Sequence, residues 1–166
     1  WVEGHEVTVD ACVEGTTDVI PHTEAFLVEY KVWKVPAVAA ATGPIVHVAS
    51  GMCLTAGAAD VFPTLSKCTQ AAAQQWSTAT SGLVTPTSCA TQKCCLVTNA
   101  RNSTDLRRNV TVAAASTGGC GSTAQAAWRF DQGTGFLHSL VGGDAVGASG
   151  GLCLAARSVG QFNEWS

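Results

Sequence analysis

The sequence predicts an all-β fold. Three observations carry the expectation: hydrophobic residues make up 46% of the chain against 13% charged, which excludes a disordered polymer. The 17 glycines, abundant Thr and Ser, and one Met favour short strands and turns over long helices. Apolar residues alternate with polar ones at period two near the start of the chain. At 166 residues the length suits one domain of about 125 residues plus a further structured segment.

The alternation is clearest over residues 1–35. Val7, Val9, Ala11 and Val13 alternate with Thr8, Asp10, Cys12 and Glu14, and Phe26, Val28, Tyr30 and Val32 alternate with Leu27, Glu29, Lys31 and Trp33. Turn residues between them, Gly15 to Asp18 and Pro21 to Thr23, predict an antiparallel β-ribbon. An isolated hairpin is marginal in water, so the ribbon must pack on something else. Residues 36–44 run from Pro36 through small residues to Pro44 and read as a linker. Charge supports the division: residues 1–35 hold seven acids against Lys31 and Lys34, while the remainder has seven bases against five acids.

Residues 45–166 contain an imperfect threefold repeat. Cys53-Leu54 is echoed by Cys95-Leu96 and by Cys153-Leu154, at intervals of 42 and 58 residues. A tryptophan motif follows each copy: Gln74-Gln75-Trp76, Ala126-Ala127-Trp128, and Asn163-Glu164-Trp165. A unit of a few strands cannot bury its apolar face alone, and three such units together can. Tryptophan buries a large area and needs a partner for its indole N–H, so Trp76, Trp128 and Trp165 are expected at equivalent core positions.

These motifs resemble the ricin-type β-trefoil family, in which each of three subdomains carries a Cys-Leu segment, usually a second cysteine, and a closing Gln-x-Trp. The resemblance implies a β-trefoil over about residues 45–166, preceded by the ribbon. It also implies disulfides joining Cys53 to Cys68 and Cys95 to Cys120. Cys89 with Cys94 makes a tight local loop, which leaves Cys12 for Cys153 and ties the ribbon to the third repeat. From the sequence alone the connectivity stays open, since eight cysteines allow about a hundred pairings.

Eight cysteines point to an oxidising compartment. The sequons at Asn102 and Asn109 fall in a polar stretch expected to form an exposed loop and to accept glycans. The expected location is therefore secreted or lysosomal. The chain opens at Trp1, which reads as a mature product or a piece of something longer. With no basic cluster larger than Arg107-Arg108, no nucleic-acid partner is expected. The longest weakly apolar run, Val35 to Ala41, falls far short of the roughly 20 residues of a membrane span.

No cofactor or metal is expected, because His5, His22, His47 and His138 are isolated and no Cys-x-x-Cys pair occurs. The carboxylates after residue 45, Asp60, Asp105, Asp131, Asp144 and Glu164, lie in turn-like or terminal contexts, and no catalytic constellation is found.

In sugar-binding members of the family, an Asp two residues after the cysteine of Cys-Leu, an aromatic before the second cysteine, and an Asn beside the motif Gln make the pocket. Here the first position is Thr55, Val97 and Ala155, and the ring and the Asn are missing too. Only the first repeat keeps a carboxylate within its disulfide loop, Asp60, together with the motif glutamine, Gln74. These two are the candidate carbohydrate-binding residues, Gln74 alternatively serving as a buried amide beside Trp76.

Two functions are weighed: a non-catalytic carbohydrate-binding module, or a structural accessory with worn pockets that packs against an enzyme. In both, a larger catalytic chain or domain is the expected partner. Residues Ile20 to Val28 resemble the closing strands of the β-sandwich that follows the catalytic barrel in several glycoside hydrolases, which implies the C-terminal part of such an enzyme. An inhibitor or toxin-subunit role is compatible with the same fold.

Overall fold

The computed structural model describes residues 3–4, 7–12, 31–36, 41–58, 61–79, 82, 84–89, 94–98, 108–113, 120, 126–140 and 152–156. Among them, regular structure consists of thirteen short strands and two 3₁₀ turns, Ala72–Gln74 and Thr87–Cys89. In chain order the strands are β1 Val7–Ala11, β2 Trp33–Lys34, β3 Thr42–Gly43, β4 Val46–His47, β5 Cys53–Thr55, β6 Thr64–Ser66 and β7 Trp76–Thr78. They continue with β8 Val84–Pro86, β9 Cys95–Thr98, β10 Arg108–Ala113, β11 Trp128–Asp131, β12 Phe136–Ser139 and β13 Leu152–Ala156. All pairings are antiparallel.

Every Cys-Leu strand pairs with a second strand in the same register. Leu54 stands opposite Leu65, Leu96 opposite Val112, and Leu154 opposite Val9. The first two pairs, β5 with β6 and β9 with β10, are consecutive along the chain. The third joins β13 to β1, from opposite ends of the described sequence.

The same closure recurs at the tryptophans. The indole N–H of Trp76 donates to the Leu54 carbonyl at 2.8 Å, that of Trp128 to the Leu96 carbonyl at 2.9 Å, and that of Trp33 to the Leu154 carbonyl at 2.9 Å. Each ring thus meets the need of a buried indole for one acceptor. The third place in the triad, expected for Trp165, is held by Trp33; Trp165 itself lies outside the described residues. All three rings are buried in one cluster with Leu54, Leu96 and Leu154.

Three glycines complete the symmetry. Gly43 pairs with Trp76, the Gly82 carbonyl accepts from the Trp128 N–H at 2.9 Å, and the Gly135 carbonyl accepts from the Trp33 N–H at 2.8 Å. Gly82 is the most constrained, with φ at 83° and a hypothetical Cβ only 2.6 Å from the Trp128 carbonyl oxygen. Only glycine meets both demands at that place.

Among the described residues, twelve of the thirteen strands form three copies of one four-strand unit: β4 to β7, β8 to β11, and a third made of β12, β13, β1 and β2, with β3 leading into β4. This is the β-trefoil arrangement with its third unit completed from the N-terminal side. Two expectations change accordingly. Val7–Ala11 pairs with β13 and β10, so β1 is an inner strand of a six-stranded sheet; residues 13–30, which include most of the expected ribbon, lie outside the described residues. The stretch 36–44, expected as a linker, contains β3, whose Thr42 and Gly43 pair with Ser77 and Trp76.

Asn109, expected on a loop, lies in β10 opposite Thr8. Its neighbours explain the difference, because Val110-Thr111-Val112 is a β-branched run that favours a strand over a turn. Asn102 lies outside the described residues.

Four disulfides join Cys12 to Cys153, Cys53 to Cys68, Cys89 to Cys94 and Cys95 to Cys120. The first and second are equivalent in the repeat: Cys53 faces Ser66 and Cys153 faces Asp10, and each bonds the cysteine two residues further on.

Candidate functional site

The family's sugar pocket maps onto the residue two after each Cys-Leu cysteine, and the three copies differ sharply there. Val97 in β9 is 5% exposed and Ala155 in β13 is 1% exposed. Both positions are apolar and closed to solvent, so neither offers a hydroxyl-binding group. Thr55 in β5 is half-buried and polar.

Around Thr55 the first repeat is built from a short network centred on Gln74, which the 3₁₀ turn Ala72–Gln74 carries into the interior. Its Nε2 donates to Thr55 Oγ1 and to the Lys67 carbonyl, both at 3.0 Å. Its Oε1 accepts from the Thr69 N–H at 2.6 Å and from Thr69 Oγ1 at 3.0 Å. The amide of Gln74 is thus wholly engaged in holding the segment after β6 against β5. Gln74 shapes the site from behind, and the groups facing solvent on this rim are Lys67, Thr69 and Gln70. Asp60, the other candidate, lies outside the described residues, between exposed Gly57-Ala58 and exposed Val61.

Lys31 occupies the place of Gln74 in the third unit. It stands two residues before Trp33 and is buried, as Gln74 stands before Trp76 and Ala126 before Trp128. The signal was present in the sequence as Lys31-Val32-Trp33, a Gln-x-Trp spacing with lysine for glutamine, displaced to the start of the chain.

Two further polar features lie away from the rim. In the turn after β11, Asp131 Oδ1 accepts from the Gly133 N–H at 2.8 Å, and this bond above all holds its carboxyl below the ordinary range. On β12, His138 is buried beside the Cys12–Cys153 disulfide, with Nδ1 at 3.3 Å from Cys12 Sγ and 3.6 Å from Cys153 Sγ. These three residues are the group of possible metal donors found among the described residues, but the two sulfurs are bonded to each other and carry no thiolate to offer a metal. No helix among the described residues is long and apolar enough to cross a membrane.

The threefold unit, the indole-to-Leu bonds and the cystine placement together define a β-trefoil of the lectin type. The ricin-type beta-trefoil lectin domain family matches residues 41–161. The chain belongs to that family. No curated protein matches it. The family match begins after Trp33, whereas the third unit draws β1 and β2 from residues 7–34.

Proposed function

We propose that the chain is a non-catalytic carbohydrate-binding module whose binding site lies in the first repeat. The observation that carries this reading is the contrast at the equivalent positions: half-buried, polar Thr55 against buried, apolar Val97 and Ala155. Shallow sugar sites rely on carboxylate and amide groups that take hydroxyls in pairs. Asp60 and Gln70 are the groups of the first repeat suited to that task, with Gln74 fixing the segment that carries Gln70. Glycan-array binding by the folded chain is expected to fall to background in Asp60→Ala combined with Gln70→Ala. Binding that survives both changes removes the first-repeat site.

A second reading is favoured by the closure of the other two pockets: a structural module of a larger secreted or lysosomal glycoside hydrolase, packing against its catalytic domain. Four disulfides support passage through an oxidising compartment, where Asn102 and Asn109 are proposed glycan acceptors. Failure of the folded chain to bind any glycan, together with a co-purifying catalytic chain in mass spectra of natural material, favours this second reading.

A further inference from the structure

We propose that Cys12–Cys153 is a thiol-exchange site, primed by His138, at which a low-molecular-weight thiol or an exposed protein thiol unfastens the N-terminal strand from the third unit. The proposal goes beyond glycan binding and stands whether or not the first repeat binds sugar.

Symmetry within the molecule supplies the comparison. Cys53–Cys68 and Cys12–Cys153 occupy the same place in their units. In the first, the residue opposite the Cys-Leu cysteine is Val46. In the third it is His138, whose Nδ1 lies within 3.6 Å of both sulfurs. An aliphatic side chain is inert toward a cystine, whereas an imidazole can deliver a proton to a departing thiolate.

Accessibility sets the direction of attack. Cys12 is partly exposed and Cys153 is buried, so an incoming thiolate reaches Cys12 Sγ. A bond forms between the attacking sulfur and Cys12 Sγ, the Cys12–Cys153 bond breaks, and its electron pair goes to Cys153 Sγ. The nascent Cys153 thiolate takes the Nδ1 proton of the His138 imidazolium. A second equivalent of thiol then releases Cys12 as a thiol and leaves as the oxidised disulfide of the reductant. Exchange runs faster when the leaving sulfur is stabilised, and a cationic neighbour does this.

Charged positions around His138 among the described residues are few. Arg129 faces it from β11, Asp131 lies at the end of the same strand, and Asp10 of β1 stands opposite Cys153. Opening the cystine leaves β1 held by strand pairing, by the bond from the Val7 N–H to the Pro63 carbonyl and by Val7 in the core.

The test follows each cystine by differential alkylation and peptide mass spectrometry during reduction of the full chain with glutathione. The ratio of the opening rate of Cys12–Cys153 to that of Cys53–Cys68 cancels the ionisation of the attacking thiol. It is expected to rise about tenfold as pH falls through the imidazole range, from about pH 8 to about pH 5. In His138→Gln the ratio is expected to lose that dependence. Val46→His, which places an imidazole beside Cys53–Cys68, is expected to accelerate opening of that cystine and decides the matter where His138→Gln does not fold. A ratio indifferent to pH, a folded His138→Gln chain that behaves as the parent, or a Val46→His chain with no acceleration overturns the proposal.

Discussion

Gln74 shows how one side chain serves architecture at a place read both as a ligand contact and as a buried amide. Four hydrogen bonds leave its amide with nothing to offer a sugar. Removing it strands the Lys67 carbonyl and the Thr69 N–H at the edge of the core. Gln74→Ala is therefore expected to lower stability by about 2–3 kcal/mol in urea unfolding. Asp131 makes a complementary case at the surface. Its carboxyl is held below the ordinary range chiefly by the Gly133 N–H, so the charged form is the one the fold favours. Its contribution is present above the unfolded-state value and fades as pH falls through the folded value. Asp131→Asn is expected to flatten the acid limb of the stability profile, which thermal unfolding from neutral pH downward will reveal.

At the scale of strands, the exchange of Trp165 for Trp33 has a measurable consequence. Trp33→Ala is expected to lose about 3–5 kcal/mol through the cavity left in the core. Trp33→Phe keeps most of the ring but orphans the Leu154 carbonyl, and about 1–2 kcal/mol is expected. Near-UV circular dichroism together with denaturant titration separates the two. The Cys-Leu strands and the first two tryptophans were legible in the sequence because each pair lies within one unit and keeps a short, repeated spacing. The third was not, since a repeat read in chain order takes the next tryptophan downstream, and Trp165 stands 12 residues after Cys153. Lysine in the glutamine position and a start-of-chain location hid Lys31-Val32-Trp33. The site was legible in its losses, as Val97 and Ala155 already lacked a polar group. The buried-amide role of Gln74 was legible as one of two readings, but its partners were not, because they depend on Thr69 and Lys67 folding back onto β5, which no local spacing encodes.

For the molecule as a whole, the third unit is held together across a sequence separation of 141 residues by Cys12–Cys153, against 15 for Cys53–Cys68. In the chain-entropy account a closure of that length stabilises by about 5 kcal/mol, and one of 15 residues by about 3. The paired replacement Cys12→Ser with Cys153→Ser is expected to lower the unfolding midpoint more than Cys53→Ser with Cys68→Ser, by calorimetry under identical conditions. A reversed order means that native contacts, rather than restriction of the unfolded chain, govern the difference.

The placement of β1 also sets a timetable. Residues 7–11 leave the ribosome ahead of the other described strands, and their partners in β10 and β13 are translated about a hundred and about 140 residues later. Until then only Val7 has a native neighbour, the Pro63 carbonyl, and Cys12 has no native thiol to oxidise. Such long-range pairing slows folding and leaves an unpaired strand edge exposed in the interim. β1 is thus made ahead of its partners and seated with them, and the birth of the third unit waits on the final Cys-Leu.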